Sequence, residues 1–131
     1  MLTEMEHHAN IVPWQILAAE RGAIVRYLPF RPDGTLELDR LGEFLTERTK
    51  LFSFTAASNV FGTLNPTRQL VDAAHAVGAL AMVDGAQLVP HMAADGQAPD
   101  WHVPAFTTHQ MCGPAGICGA HGPPLIPTPA P

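Results

Sequence analysis

The chain has 131 residues, 47% hydrophobic and 15% charged, with a formal net charge of −5. That length suits one globular unit and not a large enzyme fold, and an acidic balance without a Lys/Arg cluster argues against nucleic acid and anionic membranes as partners. No apolar run reaches the roughly 18 residues of a membrane span. Met1–Glu6 has no leader pattern, and Cys112 and Cys118 are too few for a disulfide framework, so a cytoplasmic setting is expected.

Asn10 is placed to cap a first helix with Pro13 in its opening turn, and Ile11, Trp14, Leu17 and Ala18 fall on one face. Gly22 ends that helix, and residues 23–28 read as a strand. Pro32-Asp33-Gly34 signals a turn. Asp39 is expected to cap a short second helix whose inner face is Leu41, Phe44 and Leu45. Leu51-Phe52-Ser53-Phe54-Thr55 reads as a strand covered on both faces. A third helix is predicted with Asn65 as N-cap, Pro66 at its first position, Leu70, Val71, Ala74 and Val77 inward, and Gly78 just past its end. A strand over residues 79–83 leads into Asp84-Gly85-Ala86-Gln87. Helix and strand alternate, the pattern of an α/β layer with a mostly parallel sheet. The segment from Gly122 to Pro131 has neither period nor charge and is expected to be an extended tail.

Asp84 carries the strongest chemical signal. It follows an apolar strand, so it falls at the carboxyl edge of the sheet, where α/β folds place ligands. A carboxylate there can hold the proton of a bound heterocyclic nitrogen; the competing reading is an Asp that shapes the next turn. Asn59 also follows an apolar strand and reads as a site or a turn residue. His7 and His8 adjoin a helix without a histidine at helical spacing, so a stacking or structural role outweighs metal binding. Gly113-Pro114-Ala115-Gly116 offers backbone N–H groups to a phosphate, a common pattern. Cys112 has no neighbouring cation to lower its pKa and reads as an inert thiol.

Four runs occur in order: Met5-Glu6-His7-His8-Ala9-Asn10-Ile11-Val12-Pro13-Trp14-Gln15, Ser58-Asn59-Val60-Phe61-Gly62-Thr63-Leu64-Asn65-Pro66, Val83-Asp84-Gly85-Ala86-Gln87, and His109-Gln110-Met111-Cys112-Gly113-Pro114-Ala115-Gly116-Ile117. Together they resemble successive motifs of the cysteine desulfurase and selenocysteine lyase group, class V aminotransferases that use pyridoxal 5'-phosphate (PLP) on fold type I. The resemblance implies part of the three-layer α/β/α large domain over residues 1–117, the middle of a full-length family member. Residues 118–131 are then a Pro/Gly-rich tail outside the family pattern, expected to be disordered.

The same resemblance implies that His7 stacks on the PLP ring and that Asp84 pairs with its nitrogen. Gln87 and Asn59 would bond the ring oxygen or substrate groups, and Thr107 and His109 would hold the phosphate. The next position, Gln110, is where the family places its Schiff-base lysine. A lysine amine condenses with an aldehyde and a carboxamide nitrogen does not. The family's Ser-Gly-His-Lys reads Thr107-Thr108-His109-Gln110 here, and Pro104 removes a ladder donor from the preceding strand. Neither cysteine stands at the family's sulfur-accepting position.

The family's activity is removal of sulfur from L-cysteine to give alanine and an enzyme persulfide, within iron–sulfur cluster assembly. Its partners are a sulfur-acceptor protein and a second copy of the enzyme. The expectation for this chain is a truncated, inactive relative. The alternatives are a piece of another class V enzyme (an aminotransferase, a kynureninase-like hydrolase or an epimerase) and a non-catalytic remnant.

Overall fold

The computed structural model describes residues 1–88 and the backbone of residues 103–107 and 118–120. In chain order come β1 (Leu2–Thr3), a 3-10 turn (His8–Asn10), α1 (Val12–Arg21), β2 (Tyr27–Leu28), a second 3-10 turn (Leu38–Arg40), α2 (Leu41–Phe44), β3 (Leu51–Thr55), α3 (Thr67–Ala76), β4 (Leu80–Asp84), β5 (Val103–Thr107) and β6 (Cys118–Ala120). β1 and β2 pair in parallel. β3, β4 and β5 also run parallel, and β6 closes that sheet antiparallel to β5. The two sheets join where Ser53 N–H donates to the Met1 carbonyl at 3.0 Å and the Met1 amino group to the Leu51 carbonyl at 2.7 Å. Across the whole layer the order is therefore β2-β1-β3-β4-β5-β6.

One face of β3 and β4 carries the core. Phe52, Phe54, Ala81 and Val83 point to it by strand alternation, and Leu70, Val71 and Ala74 of α3 with Leu41 and Leu45 cover it. The Phe52 and Phe54 rings lie tilted, 4.8 Å apart between centroids. The opposite face is polar at Ser53 and Thr55, yet both are buried, so β3 is covered on both sides as its composition predicts.

Several local expectations are corrected. Asn10 does not cap α1: Ile11 is the N-cap residue, without a side-chain bond, and the Asn10 side chain turns into the interior. Pro13 does sit in the opening turn, and Gly22 ends the helix at φ +65° with its N–H on the Ala18 carbonyl. None of the α1 face is buried, because among the described residues nothing packs over it; Leu17 is 43% exposed and Ile16 55%. The strand at 23–28 shrinks to Tyr27–Leu28, since β1 offers only two residues to pair with and Ile24 is 82% exposed.

Asp39 does not cap a helix either; its carboxylate is held by the Arg31 guanidinium, while Leu41 and Leu45 pack inward as expected. α3 begins two residues after Asn65, because Pro66 at ψ +72° is not helical. The Asn65 amide instead donates to the Thr55 carbonyl at 2.8 Å. Pro104 lies within β5 opposite Val83, and the pairing with β6 begins one residue later, at Ala105. β6 occupies three residues that the sequence reading assigns to the tail.

Candidate functional site

Strand order locates the site. From β1 the chain crosses to β2 on one side and then to β3 on the other, so the winding reverses between β1 and β3. In open α/β sheets the crevice outside the carboxyl ends of the strands at such a reversal takes the ligand. The turn leaving β1 brings Glu6 to the end of β3, where its carboxylate accepts Thr55 N–H at 2.9 Å, and His7 follows it. β3 ends there at Thr55, whose register partner on β4 is Asp84, and Ala56 N–H donates to the Asp84 carbonyl at 2.9 Å. Asp84 is in turn opposite Ala105, which puts Thr107 at the same end of β5.

Asp84 stands at the end of its strand and shapes the turn that follows. It is half-buried at the carboxyl edge, and its Oδ1 accepts the Ala86 N–H at 2.9 Å, an Asx turn that orients the carboxylate. Asn59 sits at the exposed tip of a turn held by Ser58, whose hydroxyl accepts the N–H groups of Val60 and Phe61 at 3.3 and 3.2 Å. A cleft lined by Ala57, Ser58, Asn59, Leu64 and Gln87 brings Asn59 and Gln87 together. His7 is exposed, and its Nδ1 accepts the Ala9 N–H at 3.2 Å, which fixes the ring at the head of the 3-10 turn. His8 meets it edge-on at 6.0 Å between centroids. His109, Gln110 and Cys112 lie outside the described residues, as does the glycine-containing run Gly113–Gly116.

Sequence reasoning missed Glu6. The residue is 8% exposed, and its carboxylate accepts from the Thr3 hydroxyl, from Thr55 N–H at 2.9 Å and from the Asn10 amide at 2.6 Å. Burial, seconded by the charge of Asp84, raises its pKa to about 7 against the pull of those donors. The Thr3-x-x-Glu6-x-x-x-Asn10 spacing was the available signal, masked by the neighbouring histidines.

These residue types suit a flat, protonated heterocycle in their chemistry: a carboxylate for a ring N–H, two carboxamides for its polar substituents and an exposed imidazole for stacking. Among the described residues, Asp84 Oδ1 accepts one backbone N–H. The fold and this crevice define an α/β protein whose parallel strands end together at an open edge. The profile of the aminotransferase class V family matches residues 1–122, and the chain belongs to that family.

Its relatives narrow the group. A cysteine desulfurase of Dickeya dadantii is 50% identical over 122 residues, covering 93% of this chain and 30% of the relative. A probable cysteine desulfurase of Streptomyces coelicolor is 50% identical over 117 residues, covering 89% and 28%. Among solved structures, the cysteine desulfurase CsdA from Escherichia coli superimposes with a TM-score of 0.87 at 37% identity, covering 93% of this chain and 31% of that one. The apo cysteine desulfurase of Thermococcus onnurineus gives 0.84 at 29% identity, covering 92% and 30%. The chain is thus cysteine desulfurase-like and spans under a third of the length of these relatives.

Proposed function

We propose that this chain forms the ring-binding wall of a PLP site of the cysteine desulfurase type but lacks the amine that attaches the cofactor. When bound, PLP supplies an electron-withdrawing ring that takes up the electron pair released at a substrate carbon. Asp84 holds the ring-nitrogen proton, which keeps that ring cationic. His7 covers one face of the ring and excludes water from it. Gln87 and Asn59 orient the ring oxygen or the substrate, and Thr107 and His109 take the phosphate.

The single observation that carries this reading is Asp84 at the carboxyl end of β4, next to the winding reversal and on the strand that leads directly to Gln87. The whole-protein activity implied is release of sulfur from L-cysteine as an enzyme persulfide, passed to an acceptor protein in the cytoplasm by a homodimer. Gln110 favours a chain that does not perform that reaction alone. Lys50 is no substitute: it precedes β3 at the amino end, about 17 Å of strand away from the crevice.

A visible absorbance titration with PLP tests the wall. Saturable binding that Asp84→Ala abolishes is expected; no binding, or binding indifferent to Asp84, would overturn the reading.

A further inference from the structure

We propose that Glu6 is a positioning residue that clamps the His7 turn to the carboxyl end of β3 and couples that clamp to the charge on Asp84. The clamp stands on geometry alone; only what His7 and Asp84 hold rests on the PLP reading above. Glu6 Oε1 takes the Thr3 hydroxyl and Thr55 N–H, and Oε2 takes the Asn10 amide. Asn10 Oδ1 then accepts from the Ser53 hydroxyl at 2.7 Å and from Trp14 Nε1 at 2.9 Å. One buried carboxylate thereby ties β1, the His8–Asn10 turn, α1 and β3 together, and His7 is the next residue along.

Three donors converge on the carboxylate. The Thr3 hydroxyl can reverse its bond, whereas Thr55 N–H and the Asn10 amide can only donate. Protonating Glu6 therefore weakens the two bonds that hold the turn to the strand. Among the described residues, the charged group that acts on it from the neighbouring strands is Asp84, the register partner of Thr55 on β4; β3 presents Ser53 and Thr55, and α1 presents Trp14. On its own segment Glu4, His7 and His8 flank it, and the Met1 amino group is bound to the Leu51 carbonyl. A cation against Asp84 relieves the repulsion and favours ionised Glu6, so filling the Asp84 position tightens the His7 turn, and by linkage the converse holds.

The Thr55 amide proton, followed by proton–nitrogen NMR on the full chain between about pH 5 and about pH 9, reads the clamp directly. It is expected to move downfield as Glu6 ionises, with a midpoint near 7. Glu6→Gln removes that titration, and Asp84→Asn lowers its midpoint. Added PLP acts in the same direction as Asp84→Asn. A Thr55 amide that does not titrate, or one that still titrates in Glu6→Gln, overturns the clamp. An unmoved midpoint in Asp84→Asn overturns the coupling even where Glu6→Gln fails to fold. If PLP does not bind while Thr55 titrates through Glu6, the clamp stands and the cofactor reading falls.

Discussion

Thr55 N–H donates to Glu6 Oε1 at 2.9 Å, joining residues 49 positions apart exactly where β3 leaves the sheet. Its carbonyl is taken by the Asn65 amide at 2.8 Å and its hydroxyl donates to the Ala57 carbonyl at 2.7 Å. The end of the central strand is thus held by side chains from two loops, and those loops carry His7 and Asn59. An unpaired buried N–H or C=O would be costly, so these bonds fix where the two site loops begin.

The Glu6 carboxyl makes stability pH-dependent in a defined direction. Its folded pKa, about 7, lies above the ordinary value of 4.5, because burying the charge costs more than its three donors return. Ionisation therefore tightens the local bonds yet lowers fold stability, whose Glu6 contribution is complete below about pH 4.5 and is lost as pH rises through 7. The span is roughly 3 kcal/mol. Urea unfolding at the two limits should show Glu6→Gln flattening this dependence; an unchanged slope would contradict it.

Gly34 lies at φ +81°, and a Cβ there would meet Thr63 Oγ1 at 3.2 Å and Phe61 at 3.3 Å. Thr63 Oγ1 also donates to the Gly34 carbonyl at 2.8 Å, so this turn supports the Asn59 loop. Gly34→Ala is expected to cost about 1–3 kcal/mol. Gly22→Ala, at φ +65° with open space around it, is expected to cost less in the same urea assay.

Phe52 is fully buried between α3 and the sheet, so Phe52→Ala is expected to cost about 3–5 kcal/mol, read from the urea midpoint. A loss below about 1 kcal/mol would contradict the packing of Phe52 against α3.

Val12, Ile16, Leu17, Ile24 and Val60 all expose large apolar side chains. The chain is therefore expected to self-associate, and Ile16→Lys to shift it toward monomer in light scattering. A clean wild-type monomer would count against this.

The elements legible in the sequence were those with their own period and punctuation. β3 was read to the residue, and α3 followed from its apolar spacing and Gly78. The errors share one cause: polar side chains with two possible employers. Asn10 and Asn65 look like caps, yet each is drawn into the interior by long-range partners, Glu6 and Ser53 for one and the Thr55 carbonyl for the other. No local pattern encodes a bond spanning 43 residues. Asp84 was legible as a strand-end carboxylate, whereas Glu6 emerges only once β1 is seen to lie beside β3.

Borohydride reduction after incubation with PLP, followed by peptide mapping, tests whether residue 110 is the missing point of cofactor attachment. The wild-type chain is predicted to carry no stable adduct, and Gln110→Lys to acquire one at residue 110 without releasing sulfur from L-cysteine. A specific adduct at Lys50 in the wild-type chain, or a Gln110→Lys chain left unlabelled at residue 110, would contradict that assignment.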